Sequence, residues 1–418
     1  ENGYDIIRFE DGAEYKYGQG YEKFKKILIN DFPDEKKAIN TFCDKIQEIC
    51  KLFPLYNLQN ETNHDYFSQQ DFRNLNAFDF IASLTKTKRL QNVLAGNNLL
   101  FAGIKEKTPF YIHALILNSY INGAYKLVGG SFQMANIMSE NIQKAGAEIY
   151  KSKKVVGANY LNDGKIKEVV LENGETVKGK KFISNMHPAV TIDIFGENHF
   201  LNAYKKRIKN LENTISSFIL HLSFKKNTFK YLNHNIYQYD IDDVWNGVNY
   251  QDEKWPECYF ACTPASSESN EYASVMSVMT YMKIEETAKW KNTYNTTTNP
   301  GSRGADYEKF KKIKEEKILK KLEKSFPGIR SKINNTYSST PLTFRDYIGN
   351  YDGSVYGILK DSNNPLRSLV HVKTKIPNLF LTGQNVVLHG ILGVIIGAFV
   401  TCFEFVDKKT LIEKVKNA

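Results

Sequence analysis

Cysteine is scarce in this chain, with only five among 418 residues. Two of them, Cys43 and Cys50, stand seven positions apart on a predicted helix, which puts them on one face but too far apart for a disulfide. Cys258 and Cys262 lack the second pair of cysteines or histidines that a zinc site requires. We therefore expect all five thiols to be reduced, as in a cytoplasmic protein.

Long apolar runs and local catalytic signatures are also missing. The longest apolar stretch, residues 386–406, contains His389, three glycines and Glu404, so it predicts a buried glycine-rich helix and not a membrane span. The sequence has no Walker A loop, no HExxH, no GxSxG and no strand followed by GxGxxG. These signatures therefore give no indication of P-loop, zinc-protease or serine-hydrolase chemistry.

The net charge of +10 is spread along the chain and not concentrated in one segment. Lysines alternate with glutamates, for example in residues 308–324, which favours solvated helix faces. Neither a basic arm nor the aromatic ladder of a nucleic-acid module is present. We expect no nucleic-acid partner, and a cytoplasmic location with at most peripheral contact with an anionic membrane.

Apolar patterning predicts a mixture of helices and strands. Two short strands are expected around the Asp11-Gly12 turn, followed by helical sequence at 20–52 with a break near Pro33. Further helical patterning covers 75–125. Later strands are predicted at 217–224, 258–264 and 274–282, before an amphipathic helix that Pro327-Gly328 ends.

The stretch 127–185 has the most regular pattern. Gly129-Gly130-Ser131 opens a predicted helix, with Ser131 as its N-cap and Gly146 as its C-terminal glycine. Residues 147–162 predict a pair of strands, and 165–172 a further strand. Asn173-Gly174 is typical of a hairpin turn, after which 175–185 returns into the core.

The C-terminal run 376–399 is the most informative for function. NLFLTG predicts a short buried strand that ends at Gly383, and a glycine-containing loop and an apolar helix follow. Such a strand, glycine loop and helix N-terminus form an anion site, because free N–H groups and the positive end of the helix dipole face the anion. Glycine also lets the backbone approach a flat ring. Helix–sheet packing through small residues is the alternative interpretation.

Four segments carry a resemblance to a known family. LVGGSFQMANIMSENIQKAGAEIYKSKKVVGANY (127–160) and GKKFISNMHP (179–188) are similar to a glycine pair, helix and two strands of flavoproteins. STPLTFRDYIGNYDGSVYGI (339–358) and NLFLTGQNVVLHGILGV (378–394) are similar to more specific C-terminal motifs. The chain thus resembles the phytoene desaturase, carotenoid isomerase and retinol saturase family over essentially its whole length.

This resemblance implies an α/β fold with an α+β substrate part. The protein would be a two-domain, FAD/NAD(P)-binding Rossmann-like flavoprotein of the amine oxidase/phytoene desaturase type. The substrate domain would comprise 1–126 and 191–364, and the FAD-binding domain 127–190 and 365–418. The family's first βαβ unit, which carries the dinucleotide fingerprint, is expected before residue 1 and is missing from this sequence. We expect that the sequence is truncated, and not that the natural enzyme lacks this unit.

The resemblance also implies positions for FAD. Val155 and Val156 would lie at the adenine end, and Ser184 and Asn185 on a strand near the cofactor. Gly383, Gln384 and Asn385 would form the pyrophosphate turn. The positions at the helix start would be Gly390, Leu392, Gly393 and Val394. No catalytic residue is assigned, and His389 is the one candidate. Arg345 and Asp346 are expected to pair and to brace the substrate domain.

The implied activity is that of an FAD-dependent oxidoreductase acting on carbon–carbon double bonds of a polyene or isoprenoid lipid, with NAD(P) as a candidate reductant. Saturation, desaturation and isomerisation stay open. One alternative is an amine oxidase-like flavoenzyme, to which the 339–358 and 378–394 motifs are less similar. The other is a non-enzymatic lipid-binding remnant.

Overall fold

The computed structural model describes residues 3–59 and 71–417. The chain divides into two units, each built from three segments. The first unit comprises Glu1–Ile49, Leu75–Ile149 and Ile215–Thr343, and the second comprises Cys50–Asn74, Tyr150–Thr214 and Phe344–Ala418.

Strands and helices are both distributed along the whole of the described chain. The strands are β1 (Asp5–Phe9), β2 (Glu14–Tyr17), β3 (Val155–Tyr160), β4 (Ile166–Leu171), β5 (Thr176–Lys178), β6 (Phe182–Ser184), β7 (Ser216–Phe224), β8 (Asn235–Tyr239), β9 (Cys258–Cys262), β10 (Val275–Met282), β11 (Ile333–Ser339) and β12 (Leu379–Leu381). The helices are α1 (Tyr21–Asp31), α2 (Lys36–Lys51), α3 (Asp71–Asn74), α4 (Ala77–Leu84), α5 (Lys88–Leu94), α6 (Phe110–Asn122), α7 (Phe132–Lys144), α8 (Pro188–Phe195), α9 (Asn202–Lys209), α10 (Ala305–Ser325), α11 (Ile329–Lys332), α12 (Pro341–Ile348), α13 (Gly390–Cys402) and α14 (Lys408–Lys416).

The first unit is organised around a sheet with the strand order β11-β7-β10-β9-β8-β1-β2. Its pairs are antiparallel except for β1 and β8, which run parallel. Alternate residues of β7 (Phe218, Leu220 and Leu222) are fully buried, as the period of two in a strand requires. On the same face, the Tyr259 hydroxyl lies 2.7 Å from Ser325 Oγ of α10, so α10 packs on this face.

The second unit contains two small sheets. Strands β12 and β6 pair in parallel, with Leu381 opposite Ser184, and β3-β4-β5 form an antiparallel meander. The side chain of Asn378 connects the two sheets, because its Oδ1 accepts from the Ile166 N–H at 2.9 Å and its Nδ2 donates to the Ile166 carbonyl at 2.8 Å. The two sheets also share an apolar core that includes Ile192 and Leu379. The core and the Asn378 hydrogen bonds together position β12.

Most of the predicted elements are confirmed. The strands around Asp11-Gly12, the helix break near Pro33 and the helix that ends before Pro327-Gly328 all form. Helix α7 begins after Ser131 and Gly146 follows it with φ +83°, although the Ser131 side chain makes no capping hydrogen bond. The strand pair predicted at 147–162 is wrong, since this range contains a single strand, β3. Residues 147–154 are exposed, and Ser152 at φ +57° interrupts the extended backbone.

Helix α7 has the predicted helical spacing, but its apolar side chains face outward. Phe132, Ile137, Met138 and Ile142 are between 45% and 74% exposed, and the helix has no buried residue. Its start is attached to the first unit by a hydrogen bond from the Gly129 N–H to the Ala265 carbonyl at 3.0 Å. The amphipathic pattern therefore predicted the helix correctly without indicating how much of it is covered.

None of the five cysteines forms a disulfide. In residues 3–59 and 71–417, the structure contains no helix that is both long and apolar enough to cross a bilayer. Over the same residues, no three histidine, cysteine, aspartate or glutamate side chains are grouped in a way that could hold a metal ion.

Candidate functional site

Strand β12, the loop after it and helix α13 form the predicted strand–glycine–helix arrangement. Helix α13 folds back onto the strand, because Thr401 Oγ1 lies 2.9 Å from Thr382 Oγ1 and also donates to the Leu381 carbonyl. A Cβ atom built at Gly397 would lie 3.5 Å from the Gly383 carbonyl oxygen, so helix and turn are in close contact. The middle and the last turn of the helix thus pack against the carboxyl end of a buried strand, the end at which open α/β sheets bind ligands.

Gly383 brings the ends of β12 and β6 together. Its φ of +92° lies in the region that favours glycine, and a Cβ atom there would be 1.9 Å from Asn185 Oδ1. The backbone of Thr382 donates to the Ser184 carbonyl at 2.9 Å, which continues the parallel pairing. Ser184, Asn185 and Gly383, which were predicted separately, are therefore neighbours.

The side chain of Asn385 accepts a hydrogen bond from within the second unit. It is buried, and its Oδ1 accepts a hydrogen bond from the Ile358 N–H at 2.9 Å. Gly357 has φ +72°, and a Cβ atom there would be 2.1 Å from the same oxygen. Gln384 Nε2 would lie 3.3 Å from that Cβ atom. The loop after β12 is thus fastened to residues 357–358.

The start of α13 is exposed, and the side chain of its N-cap residue does not cap it. The N-cap residue, His389, makes no capping hydrogen bond with its side chain, so the first-turn N–H groups are not covered by it. Gly390, Ile391, Leu392 and Val394 are exposed around this end. An anion placed at this end would meet N–H donors and the positive end of the helix dipole, and a flat apolar ring would meet aliphatic side chains. These residues fit the phosphate and ring parts of a dinucleotide cofactor.

His389 lies against Tyr356. Their ring centroids are 4.4 Å apart and the rings are tilted by 35°. His389 is half-buried, and it stands directly before the first turn of α13. The catalytic candidate named from the sequence therefore sits at the helix start, with an aromatic partner that the sequence did not indicate.

Gly393 lies in the first turn of α13 and contacts the loop before the helix. It is buried, and a Cβ atom there would lie 2.6 Å from the Leu388 carbonyl oxygen and 2.7 Å from the Leu388 carbonyl carbon. This glycine therefore allows the loop before α13 to pack against the helix.

Val155 and Val156 lie apart from these residues. They begin β3, with Val155 opposite Leu171 of β4, and Val156 is 43% exposed. In the part of the chain that the structure describes, no hydrogen bond joins these valines to residues 383–394. The predicted residues therefore form one close group at β6, β12 and α13 and a second location on the meander.

Three residues that sequence reasoning missed form a hydrogen-bonded chain beside this group. His187 Nε2 lies 3.0 Å from Asn213 Oδ1, and Asn213 Nδ2 donates to Asp352 Oδ2 at 3.2 Å. Burial lowers the pKa of His187. The separation of 139 residues between Asn213 and Asp352 explains why no local pattern indicated the contact.

The predicted Arg345–Asp346 pair is present. Arg345 Nε donates to Asp346 Oδ1 at 2.7 Å, and the Asp346 side chain is fully buried. Both residues lie on α12, in the second unit. The pair lies on the helix that leads into residues 349–358.

Comparison with known proteins identifies relatives along nearly the whole chain. An all-trans-retinol 13,14-reductase of Danio rerio is 25% identical over 457 aligned positions, covering 98% of this chain and 73% of that protein. A chloroplastic prolycopene isomerase of Daucus carota is 24% identical, covering 87% of this chain and 60% of that protein. No protein-family model matches the chain.

Solved structures share the fold at low identity. A putrescine oxidase bound to putrescine aligns with a TM-score of 0.59 at 9% identity, covering all of this chain and 82% of that protein. A fatty acid isomerase from P. acnes that produces CLA aligns with a TM-score of 0.53 at 10% identity, covering 97% of this chain and 81% of that protein. The predicted fold class and the predicted family resemblance are both confirmed.

Proposed function

Because the chain is homologous to all-trans-retinol 13,14-reductases and prolycopene isomerases, we propose that it is an FAD-dependent oxidoreductase acting on carbon–carbon double bonds of a polyene or isoprenoid lipid. The observation that carries the proposal is the strand–glycine–helix arrangement at β12 and α13, with a helix N-terminus that its N-cap side chain leaves uncapped. The similarity to these relatives covers nearly the whole chain and supports the same proposal. Saturation, desaturation and isomerisation remain alternatives within this class.

The proposed cofactor contacts follow the geometry of the second unit. The N–H groups at the start of α13 bind a phosphate. Gly383 is assigned to the pyrophosphate turn on the resemblance, and its missing side chain makes room for Asn185 Oδ1. Asn185 lies against this turn, and Ile391, Leu392 and Val394 provide apolar contact. Val155 and Val156 are assigned to the adenine end, on the resemblance alone. Bound flavin supplies hydride or electron chemistry, and the protein supplies orientation and a dry site.

His389 is the one residue that we propose as a candidate acid or base in the polyene chemistry. Its ring is oriented by contact with Tyr356, and it can hold or release a proton at an imidazole nitrogen beside the helix start.

The domain assignment from the sequence is kept as a proposal. Residues 127–190 and 365–418 belong to the FAD-binding domain, and 1–126 and 191–364 to the substrate domain. NAD(P) is proposed as a reductant. The positive net charge suits peripheral contact with anionic lipid, through which an apolar substrate would enter, from a cytoplasmic location.

The test of the function uses the protein purified with its natural termini. We expect a flavin absorption spectrum, and turnover of all-trans-retinol or a cis-carotenoid on anionic vesicles, followed by chromatography of the products. A panel of amines is offered in parallel, since amine oxidases share the fold. Oxidation of an amine without any change in a polyene would replace the proposal by the amine oxidase alternative. Lipid binding without a flavin would support the non-enzymatic alternative.

A further inference from the structure

One face of the sheet in the first unit is only partly covered. Side chains of β7, β9 and β10 alternate between the two faces, as the period of two in a strand requires. On the face that packs against α10, all of them are buried. In the middle of the other face, six half-buried side chains form what we call the open patch: Ile219, His221, Phe260, Cys262, Ser277 and Met279.

The open patch is divided into an apolar row and a polar row. The register of the strands places three apolar side chains side by side: Ile219, Met279 and Phe260. The polar row lies two residues further along each strand, about 7 Å away, and consists of His221, Ser277 and Cys262. The patch is therefore amphiphilic, with its hydrogen-bonding groups on one side only.

Residues 96–98 close the face beyond the apolar row. The Tyr239 hydroxyl donates to the Gly96 carbonyl at 2.8 Å, and the Tyr281 hydroxyl donates to the Asn98 carbonyl at 3.4 Å. Tyr281 stands two residues after Met279 on β10 and is buried. The apolar row thus lies next to this boundary, and the polar row lies away from it.

His221 carries a ring nitrogen that no neighbour uses. Its Nδ1 lies 3.0 Å from Ser277 Oγ, which orients the ring across the two strands. Within residues 3–59 and 71–417, its Nε2 has no hydrogen-bond partner, and the side chain is only half-buried, so a ligand can reach it. Burial lowers the pKa of His221, so the ring is uncharged at neutral pH and can donate or accept one hydrogen bond.

The chemistry of the patch favours one kind of occupant. None of its six side chains is charged at neutral pH, so an ionised group placed there would lose hydration without gaining a counter-ion. An apolar chain fits the apolar row, and an uncharged hydrogen-bonding group fits the polar row. Ligand sites generally combine an apolar lining with a few such polar groups.

We propose that the lipid substrate carries a hydroxyl group and that the open patch binds it, with His221 recognising the hydroxyl and the apolar row in contact with the polyene. This inference rests on the proposed function, and it narrows the substrate class from polyenes in general to polyene alcohols. Ser277 is a positioning residue, because it acts through His221. A hydrocarbon polyene would leave the polar row unmatched, and a site built to bind a hydroxyl disfavours the analogue that lacks it.

The test compares two ligands that differ only in the hydroxyl: all-trans-retinol and its analogue with hydrogen in place of the hydroxyl. Each is titrated into flavin-loaded protein with natural termini, and binding is followed by protein fluorescence, since all three tryptophans lie in the first unit. We expect wild-type protein to bind retinol about fivefold to tenfold more tightly than the analogue.

His221→Phe keeps a flat ring and removes the hydrogen bond. It should abolish the preference by weakening retinol binding alone, and in turnover it should raise KM for retinol with kcat nearly unchanged. Ser277→Ala should reduce the preference partly. His234→Phe is the matched control, because His234 is also half-buried in this unit but lies just before β8, outside the open patch, and it should keep the full preference. Ile219→Ala should weaken both ligands alike.

The outcomes separate this inference from the proposed function. Wild-type protein that changes no polyene would overturn the proposed function. Turnover of polyenes with equal affinity for the two ligands would overturn this inference alone, and so would a preference for retinol that survives in His221→Phe. Tighter binding of retinoic acid than of retinol would also overturn it, because the end group would then be a carboxylate.

Discussion

Gly393→Ala is expected to destabilise the second unit by about 1–3 kcal/mol and to weaken flavin binding at least tenfold. The new Cβ atom would lie 2.6 Å from a backbone oxygen, that of Leu388, and a backbone atom cannot rotate away as a side chain can. The loop before α13 must move instead, and this loop carries Asn385 and His389. Retained flavin is measured by the absorbance of the purified variant, and stability by chemical denaturation.

Gly397→Ala is the matched control on the same helix. Gly397 is also buried, but a Cβ atom there would meet the Gly383 carbonyl oxygen at 3.5 Å, which is ordinary contact. Replacing a glycine in a helix interior by alanine favours the helix by up to about 1 kcal/mol. We therefore expect this variant to keep its flavin and to be as stable as the wild type or more so. Equal behaviour of the two variants would show that the close approach at Gly393 is not required.

The sequence was sufficient for the elements whose signals are local. Alternating apolar residues predicted β7, β9 and β10, and Pro327-Gly328 marked the end of α10. Strand β11, with the sequence INNTYSS, was missed because its residues have little apolar alternation. Pairing with β7 stabilises it, and this pairing is set by the sheet and not by propensity.

The candidate site shows the same limit. Gly383 and Asn385 were found because they stand in one continuous motif. The contacts that hold this motif come from residues far away in sequence, such as Asn213 and Gly357, and nothing in their local sequence marks them. Gly393 was assigned to the cofactor by the resemblance, which gave no indication of its contact with Leu388. Spacing indicates which residues are near one another on a helix, but it does not say which neighbour each one faces.

Two buried ionisable side chains in the first unit make its stability depend on pH in opposite directions. Burial raises the pKa of Asp5 to about 7, which a hydrogen bond from Asn235 Nδ2 at 2.8 Å does not prevent. Burial lowers the pKa of His113 to about 3, in a surround that includes the rings of Phe42 and Phe110. Both groups are thus neutral in the folded protein near pH 6.

The sign follows from the unfolded pKa values, about 4 for aspartate and about 6.5 for histidine. Asp5 contributes stability that is fully present below pH 4 and is lost as the pH rises through 7, amounting to about 4 kcal/mol. His113 has the reverse effect, since its unfolded form takes up a proton as the pH falls below 6.5, and the loss approaches about 5 kcal/mol near pH 3. Between pH 4 and 6.5 the two contributions oppose each other in the wild type.

Single substitutions at these two positions should therefore reveal pH dependences of the unfolding free energy that cancel in the wild type. Asp5→Asn keeps an acceptor for Asn235 and stays neutral, so its stability should rise with pH between 4 and 6.5 and should exceed that of the wild type by several kcal/mol at pH 8. His113→Phe, in an aromatic environment, should show the opposite slope, and the double variant should be nearly flat. Guanidinium denaturation at pH 4, 5.5, 6.5 and 8 measures these differences. A difference between Asp5→Asn and the wild type that stays constant across this range would mean that Asp5 is ionised in the folded protein throughout, held by a partner such as Lys126, which lowers its pKa.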